Sequence, residues 1–111
     1  MTAHQHPSDI LWVAETFRLL GDPSRLKILL YCEHRPRSVT DISVALQLSQ
    51  SLVSHHLRLL KTARLVTGVR YARRMLYQVS DRHIGDVLHD MLVHAREGDR
   101  SDEHNPTSFD R

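Results

Sequence analysis

Residues 49–63 read SQSLVSHHLRLLKTA, and the two faces of this stretch decide what kind of chain it belongs to. Ser49 is a natural helix N-cap, because its hydroxyl can take up an unpaired N–H of the first turn. Beyond it Val53, Leu57 and Leu60 fall at i, i+4 and i+7, flanked by Leu52 and Leu59, so one arc is apolar. Gln50, Ser51, Ser54, His55, Arg58 and Lys61 project from the opposite arc. Amide, hydroxyl, imidazole and guanidinium groups are the ones that meet base edges and phosphates. An ordinary solvated helix face mixes in Glu and Asp, and this one has neither.

The flanking residues fit that reading. Ser38 opens a short helix with Asp41 three residues on, an abbreviated capping box, and Ile42, Ala45 and Leu46 face inward. Gln47-Leu48-Ser49 makes a tight turn without the usual glycine. Short helix, tight turn and polar-faced helix together read as helix-turn-helix. Downstream, Leu65–Val69 and Met75–Val79 favour strand on either side of Arg70-Tyr71-Ala72-Arg73-Arg74. A hairpin with arginines at its tip is a wing, suited to the DNA backbone or minor groove, so Arg70, Arg73 and Arg74 join the expected DNA contacts.

Two helices precede this unit. One starts at Ser8 or Asp9 and ends at Gly21, with Ile10, Val13, Ala14, Phe17 and Leu20 as its stripe and Trp12 widening it. Asp22 caps the next, with Pro23 at its first position. Leu26, Ile28, Leu29, Leu30 and Cys32 make it apolar around much of its circumference, and hence central.

The whole chain, 111 residues with 41% hydrophobic and 25% charged content, fits one globular domain. We expect residues 1–8 as a flexible tail, 9–97 as the domain and 98–111 as a disordered acidic tail. Nothing approaches the ~20 apolar residues of a membrane span. The N-terminus lacks a secretory pattern and Cys32 stands alone, which suits the cytoplasm. The net charge of +2 says little, but its distribution is informative. From Ile42 to Ser80 there is no acid, whereas eight acids face four arginines from Asp81 onward. A basic middle and an acidic end suggest a polyanion-binding face separated from a cation-binding one.

The cation-binding candidate is Ser80–Glu97, SDRHIGDVLHDMLVHARE. Ile84, Val87, Leu88, Met91, Leu92 and Ala95 form an apolar seam. Beside it run His83, His94 and Glu97, with Asp81 at the helix start, and all are residue types that bind zinc-like ions. His83 and His94 lie about 16 Å apart along a helix at ~1.5 Å per residue, too far to share one ion. Two antiparallel copies, crossing between Leu88 and His89, would pair Asp81 and His83 of one chain with His94 and Glu97 of the other, twice per dimer. Asp86 and Asp90 lie near enough to support these ligands, while His89 points elsewhere. The same residues also fit the wet face of an amphipathic helix, with Asp81 or Ser80 as its cap. At the other end, Thr2-Ala3-His4, with His6 nearby, has the form of a square-planar Cu(II) or Ni(II) site, a form that also arises by chance.

These features resemble the ArsR/SmtB family of bacterial metal-sensing repressors. The matching stretches are LGDPSRLKILL, LSQSLVSHHLRLLKTARLV, the arginine wing ending in MLYQVSD, and DRH followed after ten residues by HARE. The resemblance implies a mainly α winged helix-turn-helix with a small β-hairpin, a homodimer through the first and last helices, and a palindromic double-stranded operator released on metal binding. Members sensing soft metals carry cysteines around the third helix, where this chain has SVTD. The last-helix pattern matches the zinc-sensing members at Asp81, His83, His94 and Glu97. Nickel and cobalt sensors use the same helix with extra ligands from the termini, which keeps Ni(II) or Co(II), with His4 and His6, as the alternative to Zn(II). By the same resemblance, a ligand histidine, His94, donates its other ring N–H to a backbone carbonyl near Arg64. An enzyme is not expected, because four protein ligands leave catalytic zinc no open position.

Overall fold

Five helices and one hairpin follow in the order α1 (Pro7–Leu20), α2 (Pro23–His34), α3 (Val39–Leu46), α4 (Gln50–Thr62), β1 (Val66–Tyr71), β2 (Arg74–Val79) and α5 (Arg82–Ser101). The computed structural model describes residues 6–101, with side chains through residue 98. This is a winged helix-turn-helix, as the sequence pattern implies. The core gathers around α2: Ile28, Leu29 and Cys32 pack with Leu19, Ile42, Val53, Leu57, Leu60, Leu65 and Val66, all buried. No helix among the described residues is long and apolar enough to cross a membrane.

Local chemistry sets most boundaries. The Asp22 carboxylate accepts from the Arg25 N–H at 2.9 Å, with Pro23 following as expected. Ser38 and Asp41 form a complete capping box, each side chain accepting the other's backbone N–H at 3.0 Å. Ser49 caps α4 through the Leu52 N–H at 3.1 Å. Gln47 supplies the left-handed turn that a glycine would usually supply, at φ 58° and ψ 47°.

Three boundaries differ from expectation. α1 starts at Pro7 rather than Ser8 or Asp9, with His6 as N-cap and no side-chain cap, because proline's fixed φ suits the first helical position. α5 runs through Gly98 to Ser101, beyond the domain limit read at residue 97. No described glycine adopts positive φ, so Gly98 does not form the left-handed stop that ends helices. The hairpin is longer than the two five-residue strands expected. Ala72, at φ 56°, lets a two-residue turn close it, so Arg70 and Arg74 are strand residues rather than tip residues.

β1 and β2 pair antiparallel from Val66↔Val79 to Tyr71↔Arg74. Arg37 adds a bridge, exchanging both backbone hydrogen bonds with Tyr77 at 2.9 and 2.8 Å, which ties the α2–α3 loop to the wing. α5 packs on α2 and β2. Its closest approach is at Gly85, which is buried: a Cβ there would lie 2.3 Å from the Glu33 carboxylate. The opposite side of α5 is open.

Candidate DNA interface and metal half-sites

The two arcs of α4 fall largely as the sequence pattern expects. Val53, Leu57 and Leu60 are buried, and Gln50, Ser51, Ser54, His55, Arg58 and Lys61 are all exposed on the other side of α4. The turn brings the amide of Gln50 to 3.5 Å from the Thr40 hydroxyl. One turn further, Arg58 Nη1 lies 3.3 Å from His55 Nδ1.

The wing arginines are all exposed but differ in their contacts. Arg74 turns back, donating from Nη2 to Ser38 Oγ at 3.0 Å and Asp41 Oδ2 at 3.3 Å. It fastens the wing to the α3 capping box. The Ser38 N–H, first, and then the nearby guanidinium hold the Asp41 carboxyl below the usual carboxylate range.

On the far side, α1 and α5 leave a wide apolar face uncovered. Phe17 is 59% exposed, Val87 53% and Met91 52%, with Ile10 and Val13 continuing the strip. Contiguous apolar exposure of this kind marks an interaction surface. Between the helices runs an open groove of about 520 Å³ lined by Val13, Phe17, Leu20, Ile84, Val87, Leu88 and Met91. Asp81, His83, Trp12 and Arg64 line the same groove. The Trp12 indole N–H donates to the Ala63 carbonyl at the end of α4, 3.3 Å away.

The four expected ligands lie at two places on α5. Asp81 caps the helix, its Oδ1 accepting from the N–H of His83 at 2.9 Å and of Ile84 at 3.4 Å. The cap reading of Asp81 is borne out. His83 Nδ1 stands 3.5 Å from Asp81 Oδ1, and both side chains are exposed. Two ligands on a tetrahedral ion with bonds of about 2.0–2.1 Å sit roughly 3.3 Å apart; the Asp81 oxygen measured here is the one already engaged in the cap. His94 and Glu97 are exposed three residues apart near the other end of the helix. Among the described residues, no three His, Cys, Asp or Glu side chains of one chain gather as a metal cage. The four candidate residues thus form two separate pairs, Asp81 with His83 and His94 with Glu97. His6 is exposed at the start of α1, and His4 lies outside the described residues.

Two histidine contacts escaped the sequence reading. His89 points away from the candidate ligands, as expected, and its Nε2 lies 2.6 Å from Glu33 Oε1, linking α5 to α2 beside Gly85. His56 sits on the apolar face of α4 at 7% exposure, with Nδ1 unpaired and Nε2 3.9 Å from Asp22 Oδ2. Its position, i+3 from Val53, was the available signal. Cys32 is buried, and that burial pushes its thiol up to about 12, so it is not a thiolate near neutral pH.

Burial lowers the His56 pKa below its ordinary 6.5, despite the nearby Asp22 carboxylate. A depressed histidine pKa means that the unfolded chain binds the extra proton first. Stability is therefore full above about pH 6.5 and declines as pH falls through the lowered value. Urea unfolding from pH 8 to 5 should show this decline in the wild type and a flatter profile in His56→Leu. Equal slopes would remove His56 as the cause.

A family model, "Bacterial regulatory protein, arsR family", matches residues 22–67. The chain is 36% identical over 110 residues to an HTH-type transcriptional repressor SmtB of Mycobacterium tuberculosis, covering 85% of this chain and 82% of that protein. It is 40% identical over 83 residues to an HTH-type transcriptional regulator NmtR of the same organism, covering 75% and 69%. Among solved structures, a homodimeric winged helix-turn-helix DNA-binding domain from Mycobacterium bovis superposes with a TM-score of 0.74. That pair shares 25% identity, covering 87% of this chain and 92% of that one.

Proposed function

The chain belongs to the ArsR family of bacterial regulatory proteins, whose members are DNA-binding transcriptional regulators and not enzymes; from that premise we propose that it is a metal-responsive repressor. It binds operator DNA as a metal-free homodimer and lets go when Zn(II) is held between the two α5 helices. The observation that carries this reading is the pair of half-sites on one helix, Asp81 with His83 and His94 with Glu97, beside an uncovered apolar seam. A second copy laid antiparallel along that seam covers the groove and completes both cages at once. A solved neighbour of similar fold is homodimeric, which supports a dimer.

Each chain's residues have separable tasks. Val87 and Met91, with Phe17 of α1, hold the two chains together. Gln50, Ser51, Ser54 and His55 face base edges, while Arg58, Lys61, Arg70 and Arg73 meet phosphates. Zinc, when bound, supplies a cross-chain clamp that fixes the relative position of the α5 helices. Because the recognition helices ride on that frame, their spacing is what the clamp alters. The buried, lone Cys32 thiol speaks against a redox-sensing variant of the same repressor.

The test is operator binding by fluorescence anisotropy, titrated with zinc, cobalt and nickel, beside the absorption spectrum of the cobalt-loaded protein. Zinc-driven release with a tetrahedral cobalt spectrum is expected. A six-coordinate spectrum with nickel or cobalt as the stronger releaser would move the assignment to a site recruiting His4 or His6. No release by any metal would end the metal reading.

The wing makes a further expectation. Replacing Arg70 and Arg73 by Ala should weaken binding to specific and random DNA alike. It should also flatten the plot of log affinity against log salt by about 0.9 for each phosphate that is no longer neutralised. An unchanged salt slope would take the wing off the DNA.

A further inference from the structure

The last carbonyls of a helix have no partner within it and must be satisfied from outside. At the end of α4 the backbone answers part of this demand by turning left-handed at Arg64, φ 63°, so that the Leu65 N–H reaches back to the Leu60 carbonyl at 2.9 Å. The Ala63 carbonyl is left to a side chain 51 residues away in sequence, the indole N–H of Trp12 on α1, at 3.3 Å. The Arg64 guanidinium lies over the same ring, 5.9 Å from its centroid. Trp12 also lines the groove that holds Asp81 and His83.

One side chain therefore touches both halves of the machine: the end of the recognition helix and the groove in which a partner's α5 would complete the metal site. We propose that Trp12 is the positioning residue that couples metal occupancy to the recognition helix; this rests on the repressor reading above. Packing in the groove tightens or shifts as the two chains are clamped. An indole wedged there cannot tilt without stretching or releasing its bond to Ala63, and with it the orientation of the last turn of α4. The link is directional, through an N–H that a same-shaped ring would lack. It adds to whatever bond a ligand histidine makes near Arg64, because a carbonyl oxygen accepts two.

The deciding variant is Trp12→Phe, which keeps an aromatic ring in the groove and removes the donor. Operator affinity of the metal-free variant and its zinc affinity should stay close to wild type. The factor by which zinc weakens operator binding should shrink about fivefold or more, within the usual range of coupling between sites. A substitution that merely loosened the fold would lower both affinities and leave their ratio alone. Because Trp12 is the only tryptophan, its emission in the wild type reports directly on the groove, and zinc should shift it. A full zinc effect in Trp12→Phe, with both affinities intact, would overturn the proposal. A metal-free arm keeps it separable from the repressor reading: amide hydrogen exchange at residues 60–66 should quicken in Trp12→Phe even if zinc releases no DNA from the wild type. Unchanged exchange there would sink the strut whatever the metal does.

Discussion

His94→Ala should bind operator as tightly as the wild type and stay bound when zinc is added. The side chain is exposed on α5, far in sequence from the recognition helix, and takes no part in the core, so its loss leaves fold and DNA face intact. On the proposed reading, the substitution removes one of the ligands that a second chain brings to Asp81 and His83. The factor by which zinc weakens operator affinity, expected in the range of about 5–150-fold for coupled sites, should fall to near one. By reciprocity, operator DNA should also cease to weaken zinc binding in the variant. His89→Ala is the matched control. It lies on the same helix, but its ring is given to Glu33, so zinc-driven release should persist. Release of His94→Ala at wild-type zinc concentrations would place the effector site elsewhere.

The second large effect concerns the apolar face. Phe17→Glu or Met91→Glu should convert the dimer into monomers that keep their helical content, since neither residue belongs to the buried core. In a two-fold interface each substitution acts twice, and each new carboxylate must be stripped of water opposite apolar groups. The monomer still presents α4 to one half-site but forgoes the advantage of two linked sites, worth 10²–10⁴-fold in typical bivalent systems, so operator affinity should drop by about that order. Sedimentation equilibrium and operator titration on the same sample check both parts. A dimer that survives both substitutions would mean the chains meet through another surface. The antiparallel α5 arrangement would then fall, even with the DNA face correct.

Much of this molecule was legible because its instructions are local. Asp22 with Pro23, Ser38 with Asp41, and Ser49 each announce a helix start within four residues, and each does what its chemistry implies. The two-faced pattern of α4 survives in buried Val53, Leu57 and Leu60 against an exposed polar arc, with His56 added to the buried side and Leu52 left exposed. The candidate ligands were legible for the same reason, since helical periodicity alone says that His83 and His94 share a direction and cannot share an ion.

Tertiary packing decided the rest. Local pattern could not say that His89 would reach Glu33, that Arg74 would fold back onto the α3 cap, or that Trp12 would cap α4. These partners are 56, 33 and 51 residues apart in sequence. Nor could composition show that Gln47, Arg64 and Ala72 would take left-handed turns where glycine was the natural expectation. Periodicity records which way a side chain points from its own backbone. Which atom it meets depends on how separate elements settle against one another: here the missing Cβ at Gly85 leaves room for Glu33, and the Ala63 carbonyl meets the indole N–H of Trp12.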